Sequence, residues 1–179
     1  DTSFMTLIDK EVALTDENLV FSMDDEVINL AGVMGGKSTS CSRSTKEVIV
    51  ECAFFRPESI ARKSLKYDLQ SDASYKFERG VDPLCHENIL RRFIRVVKDH
   101  AKIKSIEIFS ESSEDIKEQR INFDLKTINK IIGLDIDEKE YKNMLLKLGF
   151  NFKDDYIIIP SYRSDISSQN DLAEEVARI

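Results

Sequence analysis

The chain has 179 residues, of which 41% are hydrophobic and 33% charged, enough for one ordinary domain or two small ones. Its formal net charge of −7 is unlike the positive charge usual in a free-standing nucleic-acid-binding protein, and no run of about 18 apolar residues could span a membrane. Cys41, Cys52 and Cys85 are widely spaced, which argues against a zinc site or a disulfide framework and predicts reduced thiols in a cytosolic protein. The first residues show neither an initiator Met nor a signal-peptide pattern, so we expect a piece of a longer, cytoplasmic protein.

The first stretch of the chain is rich in strand signals. Two short strands, 19–23 and 27–30, flank an acidic turn at Asp24 and Asp25. The segment 47–55 is rich in β-branched and aromatic residues and predicts a further strand. A helix is expected to begin at Pro57, since proline suits the first turn of a helix, and to run to about residue 67.

The middle of the chain changes from irregular to helical character. The polar segment 68–74 is expected to be irregular. Apolar residues spaced by three and four over 88–101 predict an amphipathic helix, and the isoleucines of 103–108 predict a closing strand. The segment 110–119 is polar and charge-dense. We therefore predict a domain boundary near residue 112, which separates residues 1–112 from 113–179.

The last part of the chain has a pattern of helix, helix, hairpin and helix. Asp124 and Asp137 are predicted N-caps of the first two helices, and Gly149 ends the second. A hairpin is expected over 150–159, followed by a last helix from about residue 168. The predicted fold class is α+β, with a mixed α/β first part and a small winged-helix-like second domain.

A glycine cluster, A-G-V-M-G-G-K-S at 31–38, matches a loose form of the phosphate-binding loop. That loop opens a helix, but the residues after Lys37 lack apolar periodicity and have poor helix propensity. A second interpretation is that Gly32 permits a close approach of backbone or ligand, as in a pocket wall. A tight turn with no ligand is the third.

Five strings occur in one order along the chain: L-A-G-V-M-G-G at 30–36, V-E-C-A-F-F at 50–55, S-D-A-S-Y-K-F-E-R-G-V-D-P at 71–83, P-S-Y-R-S-D-I at 160–166 and D-L-A-E-E-V-A-R-I at 171–179. Together they resemble the beta chain of bacterial-type phenylalanyl-tRNA synthetase over essentially the whole sequence. The resemblance implies that residues 1–112 are part of the tRNA-editing module and that residues 113–179 are the small winged-helix-like domain that follows it.

The resemblance also implies an activity and partners. The enzyme is an α2β2 tetramer that joins phenylalanine to tRNA(Phe) with ATP at the alpha-chain active site, and its beta chain hydrolyses mischarged tyrosyl-tRNA(Phe). The alternatives are a nucleotide-binding phosphate-loop protein and a non-catalytic RNA- or protein-binding module. The family string G-Q-P-x-H-x-F-D and an Arg and Asn of its editing site have no match here, so the catalytic residues are unknown and we expect the isolated chain to be inactive.

The editing pocket implied by the resemblance has one residue that recognises the substrate hydroxyl and several that line the slot. Glu51 matches a Glu that accepts a hydrogen bond from the tyrosine hydroxyl, and strand alternation places Ile49 and Ala53 on its face. Neither face of that strand is polar, so we expect Glu51 to be partly buried; pairing with a nearby Arg or Lys is the alternative. The other lining residues are Gly32, Ser71 and Ala73, where Ser71 stands in place of the family's Thr.

Four acidic residues near the end of the chain are the candidate metal ligands. Asp171, Glu174 and Glu175 stand at i, i+3 and i+4, which places them on one helix face, and Asp165 precedes them. Oxygen ligands suit magnesium, and the resemblance implies a magnesium ion shared with the alpha subunit. The alternative is that these acids cap the helix and complement its dipole.

Overall fold

The computed structural model describes residues 2–113 and 115–179, and the chain divides into two compact units, Asp1–Val81 and Asp82–Ile179. Both units combine helices with small antiparallel sheets, so the predicted α+β class is confirmed. Within the described residues, no helix combines the length and the apolar composition needed to cross a membrane. The boundary predicted near residue 112 stays a prediction.

The first unit contains two sheets and three short helices. Its strands are β1 (Thr2–Met5), β2 (Glu11–Leu14), β3 (Val20–Met23), β4 (Glu26–Leu30) and β5 (Met34–Gly35). Its helices are α1 (Pro57–Ile60), α2 (Lys63–Tyr67) and α3 (Asp72–Phe77).

Strand β1 pairs with β2, and β4 is the central strand of the β3-β4-β5 sheet. The predicted strand pair around the acidic turn is confirmed, and Asp24 and Asp25 both adopt the left-handed conformation there, with φ of 49° and 66°. The buried core of this unit consists of Phe4, Val12, Leu14, Leu30, Ala31, Val33, Phe55, Ile60, Tyr67 and Leu69.

The segment from residue 47 to 67 departs from the prediction in two places. No strand forms over 47–55, where Ile49 is 93% exposed, because β-branched side chains alone do not make a strand without a hydrogen-bonded neighbour. Pro57 does begin a helix, but Arg62 adopts a left-handed conformation with φ of 63° and divides the expected helix into α1 and α2.

Two predictions for the middle of the chain are wrong. The segment 68–74 was expected to be irregular, yet Ser71 caps α3 by accepting a hydrogen bond from the Ser74 amide at 3.1 Å. Residues 103–108 form no strand, because the structure gives them no neighbouring strand, and all of them except the half-buried Ile103 lie exposed. The amphipathic helix is confirmed as α4 (His86–His100), although none of its residues is buried.

The second unit follows the predicted order and adds one strand. Its elements after α4 are β6 (Arg120–Asn122), α5 (Leu125–Ile132), α6 (Glu138–Lys147), β7 (Asn151–Lys153), β8 (Tyr156–Ile158) and α7 (Gln169–Ala177). Asp124 and Asp137 cap α5 and α6 as predicted. Ser168, near which the last helix was expected to begin, caps α7. The missed strand β6 pairs with β8, which gives a sheet of order β6-β8-β7.

The helices α5, α6 and α7 enclose the core of the second unit against this sheet. The buried residues of that core are Ile121, Ile128, Tyr141, Leu145, Phe150, Ile157, Ile159, Ile166, Leu172, Ala173 and Val176. Burial of this many large apolar side chains supplies the main stabilising free energy of a small domain and fixes the position of α7, which carries three of the candidate metal ligands.

Candidate functional site

Gly32 occupies a buried turn between β4 and β5 that favours glycine. Its φ is +67°, a conformation that residues with a Cβ rarely adopt. A Cβ built at this position would lie 2.9 Å from Ile60 Cδ1 and 3.0 Å from Phe55 Cδ2. The close approach predicted for this glycine is therefore an approach of protein side chains, those of Ile60 and Phe55. The assignment of Gly32 to a pocket wall stays a prediction.

Ser71 is tied to the same turn. Its hydroxyl donates a hydrogen bond to the backbone carbonyl of Val33 at 2.7 Å, across a separation of 38 residues in the chain. The same oxygen accepts the Ser74 amide at the beginning of α3. One hydroxyl thus caps a helix and holds that helix against the residue that follows Gly32, and a serine supplies both hydrogen bonds without the methyl group of a threonine.

Glu51 lies on the irregular segment before α1 and is more exposed than the sequence predicted. Its Oε2 accepts a hydrogen bond from the Asn29 side-chain amide at 3.2 Å. Neighbouring protein atoms remove part of the solvent around the carboxyl group, and this desolvation raises the pKa of Glu51. Among the described residues, neither an Arg nor a Lys pairs with it, so the alternative of a structural ion pair finds no support.

The structure brings only some of the predicted pocket residues together. Gly32 and Ser71 meet through Val33, and Ala53 is half-buried against the core of the first unit. Ala73 lies on an exposed position of α3. Two open concave surfaces lie elsewhere, on α4 and on α6, and neither includes a predicted editing residue.

The phosphate-loop interpretation of residues 31–38 is wrong, because no helix follows Lys37 in the described chain until Pro57. The backbone amide of Lys37 donates to the Met5 carbonyl at 3.0 Å, and its ammonium group pairs with Asp9 at 3.0 Å. The amide and the charge that would bind phosphate thus have partners within the protein.

Two of the four candidate metal ligands share an arginine. The Arg163 guanidinium donates to both carboxylate oxygens of Asp165, at 2.9 and 2.7 Å, and to Glu175 Oε2 at 2.8 Å. Hydrogen bonds from Arg163 hold the pKa of Asp165 and the pKa of Glu175 below their ordinary values. Glu175 is 9% exposed, so Arg163 provides the partner that a buried carboxylate requires.

The other two candidate ligands have separate local roles. Asp171 Oδ2 accepts the backbone amides of Ser167 and Ser168 at 2.9 and 2.8 Å and completes a capping box at the beginning of α7. These hydrogen bonds lower the pKa of Asp171, the Ser167 amide contributing most. Glu174 lies exposed and faces Arg178 at 3.5 Å.

These contacts do not fit a magnesium shell. A shell requires several carboxylate oxygens that converge on one point and are free to bind the ion. Here both oxygens of Asp165 are bound by Arg163, while Asp171 turns towards the helix N-terminus. Within residues 2–113 and 115–179, no three Asp, Glu, His or Cys side chains are grouped so that they could hold a metal ion. The role of the four acids as ligands in an assembled enzyme stays a prediction.

Two contributors to these sites were not singled out from the sequence. Arg163 comes two residues before Asp165, and its place within the P-S-Y-R-S-D-I string was the available signal. Asn29 has no local signal, because its contact with Glu51 crosses 22 residues of the chain.

Comparison with known proteins identifies both parts of the chain. Residues 1–102 match the family model described as the B3/4 domain, and residues 121–179 match the tRNA synthetase B5 domain. Phenylalanine–tRNA ligase beta subunits from Protochlamydia amoebophila and Francisella tularensis subsp. tularensis are 37% and 36% identical to the chain. Each alignment covers 98% of this chain and 23% of the relative. The beta subunit from Leifsonia xyli subsp. xyli is 35% identical, over 99% of this chain and 21% of its own length.

The chain thus spans about a quarter of the length of the curated relatives that it matches, and it aligns along nearly its full extent. The B3/4 match includes the turn at Gly32 and the residues around Glu51 and Ser71, while the B5 match includes the ion pairs of Arg163. The chain therefore belongs to the B3/4 domain family and continues into a B5 domain, the two domains being those of the phenylalanyl-tRNA synthetase beta subunit.

Proposed function

We propose that this chain is part of a phenylalanine–tRNA ligase beta subunit and that its first unit contributes to the site that hydrolyses tyrosyl-tRNA(Phe). The observation that carries the proposal is the hydrogen bond from Ser71 to Val33, which joins two segments assigned to the pocket by the family resemblance. Gly32 supports the same assignment on steric grounds, because a side chain at this turn would crowd Phe55 and Ile60.

Editing has a clear physical basis. Phenylalanine and tyrosine differ by one hydroxyl, and an apolar synthetic pocket rejects an added hydroxyl only on the order of a hundredfold. A second site that binds the hydroxyl can remove the tyrosine that the first site admits. A carboxylate is suited to this task, because its ionised form accepts hydrogen bonds and donates none.

Glu51 is the residue that we assign to recognition of the hydroxyl. Its Oε2 is bound by Asn29, and no donor in the described chain contacts Oε1, which leaves that oxygen for a phenol. Hydrolysis itself requires an attacking water and groups to activate it. We assign no catalytic residue in this chain, and we place those groups in other parts of the enzyme.

The wider assembly is part of the same proposal. The ligase would pair this beta chain with an alpha subunit in an α2β2 tetramer, bind tRNA(Phe) and use ATP and magnesium in the cytoplasm. The names of the relatives and of the B5 domain support the proposal that the enzyme is a tRNA ligase. The acids of α7 are assigned no step in the reaction, since their contacts in this chain do not fit a magnesium shell.

Replacement of Glu51 by Ala in a full-length beta subunit, assembled with its alpha partner, tests the proposal. Deacylation of tyrosyl-tRNA(Phe) should fall roughly ten- to more than a hundredfold, because a hydrogen bond to a charged acceptor is worth about 1.5–3 kcal/mol. Release of phenylalanine should stay constant or rise, because its ring no longer has to desolvate a carboxylate. Glu47→Ala, an exposed acid of the same segment, is the matched control. An equal fall in the deacylation rates of both charged tRNAs would show that Glu51 does not recognise the hydroxyl.

A further inference from the structure

Strand pairing holds the backbone of Asn29 on both sides in the first unit. Asn29 lies on β4, the central strand of its sheet, and pairs in register with Phe21 on one side and Gly35 on the other. A residue bordered by strands on both sides has little backbone freedom. The amide of its half-buried side chain therefore emerges from a backbone that is paired on both sides, next to the register irregularity between Phe21 and Ser22.

Glu51 has the opposite setting. It lies in the irregular segment that precedes α1, next to exposed residues such as Val50 and Ile49. Within the described residues, the Asn29 amide makes the only hydrogen bond of the Glu51 side chain, from Nδ2 to Oε2 at 3.2 Å. A long, flexible carboxylate on an irregular segment is thus joined to a rigid strand at a single point.

The chemistry of an amide donor matters for a residue that must recognise a phenol. An Arg or Lys partner would place a positive charge beside the carboxylate and compensate much of its charge. A neutral amide orients one oxygen and leaves the negative charge in place. The second oxygen can then accept a hydrogen bond from a phenol hydroxyl. When an unsubstituted ring covers the same oxygen, the oxygen loses its water and gains no hydrogen bond in return.

We propose that Asn29 is a positioning residue for Glu51, fixing the carboxylate so that Oε1 faces the hydroxyl of a tyrosyl ester. The inference rests on the proposed editing function and adds a determinant of its selectivity that lies outside the pocket strings. In this role Asn29 acts only through Glu51 and needs no contact of its own with the ring or the ester.

The test is a double-mutant cycle in the full-length beta subunit with its alpha partner, using deacylation of tyrosyl- and phenylalanyl-tRNA(Phe). Asn29→Ala should lower the tyrosine rate roughly two- to tenfold, the value of one ordinary hydrogen bond, and leave the phenylalanine rate unchanged. Asn29→Gln retains the amide and should recover part of the loss. In the Glu51→Ala background, Asn29→Ala should have no further effect, because nothing is left to position.

A pH profile separates positioning from simple structural support. A hydrogen bond to the ionised carboxyl favours the ionised form, so we expect the acceptor to be lost at a higher pH when the amide is removed. The pH below which tyrosine preference disappears should therefore move upward in Asn29→Ala. Glu26→Ala, at an exposed position at the beginning of the same strand, should move neither the rates nor the profile.

Two sets of results overturn the inference in distinguishable ways. If Glu51→Ala lowers both substrates equally, the proposed role of Glu51 fails, and the role of Asn29 fails with it. Alternatively, Glu51→Ala lowers only the tyrosine rate while Asn29→Ala changes neither rate, lowers both rates equally, or adds its effect to that of Glu51→Ala. In each of these cases Glu51 keeps its role, and Asn29 is not its positioning residue.

Discussion

Replacement of Arg163 by Gln tests the ion pairs that join α7 to the preceding loop. Gln is neutral and cannot span two carboxylates as the guanidinium does. Asp165 lies exposed and can be solvated again by water, but Glu175 is 9% exposed and would be left with an uncompensated charge. The perturbation thus acts mainly through Glu175.

The expected loss of unfolding free energy follows from this geometry. Removing one partner of a buried ion pair costs about 3–5 kcal/mol. The cost should be lower here, because the Arg163 side chain is 20% exposed and Arg178 remains 3.6 Å from Glu175 Oε1. We expect the second unit to lose about 2–3 kcal/mol, between the values for buried and exposed ion pairs.

Native-state hydrogen exchange on the whole chain is the suitable assay, because it reports the second unit separately from the first. The amides of α7 and β8 should lose protection, while those of the β3-β4-β5 sheet should not change. Arg178→Gln is the matched control, since its contacts with Glu174 and Glu175 are long, at 3.5 and 3.6 Å, and its own side chain is 69% exposed; it should cost less than about 1 kcal/mol.

The pH dependence gives a second reading of the same variant. Arg163 holds the pKa of Asp165 and the pKa of Glu175 below their unfolded values, so this stability is present above the unfolded pKa and is lost as the pH falls through the folded pKa. Without Arg163, burial raises the pKa of Glu175, and protonation then relieves the cost of burying it. The difference in stability between parent and variant should therefore narrow as the pH falls from about 7 to about 3. A constant difference, or a loss no larger than that of Arg178→Gln, would refute the reasoning.

Three further predictions follow from the fold. Gly32→Ala should lower the free energy of unfolding by about 1–3 kcal/mol, measured by urea denaturation, because a Cβ at φ +67° would meet Ile60 and Phe55; an unchanged midpoint would contradict this account of the turn. Magnesium added to the isolated chain should give no calorimetric binding of micromolar affinity, because the acids of α7 are engaged within the protein, and a micromolar Kd would disprove this. Limited proteolysis should cut first between Ser110 and Gln119, where the chain lacks apolar anchors, and resistance of this stretch would move the predicted domain boundary.

The second unit was the more predictable part of the fold because its signals are local. Asp124, Asp137 and Ser168 each bind the free backbone amides of a helix that begins beside them, so the capping residue and the helix are neighbours in sequence. Gly149 follows α6 with φ of +92°, and the left-handed conformation that stops a helix is also a local preference of glycine. Strand β6 was missed because its pairing partner β8 is distant in the chain and nothing in the sequence of β6 specifies it.

The acidic cluster shows the limit of arguments from spacing. Positions i, i+3 and i+4 do share a helix face, but each carboxylate is bound by the donor nearest to it. Asp171 at the beginning of α7 accepts amides of the preceding turn, and Glu175 reaches Arg163, which lies 12 residues away in the chain. Helical periodicity thus placed the backbone correctly and could not show which partner each acid would take.

The candidate editing site is divided in the same way between backbone and side chain. Gly32 and Ser71 belong to the folded framework, since one is fixed by steric exclusion and the other by two hydrogen bonds. Glu51 carries the proposed chemical discrimination, yet it lies on an irregular segment whose predicted strand does not form. On such a segment, the position of a recognition side chain is defined mainly by the contact that orients it. In this chain that contact comes from Asn29 on the central strand. On our proposal, the selectivity of the site would then depend on a residue outside the strings that identify the family.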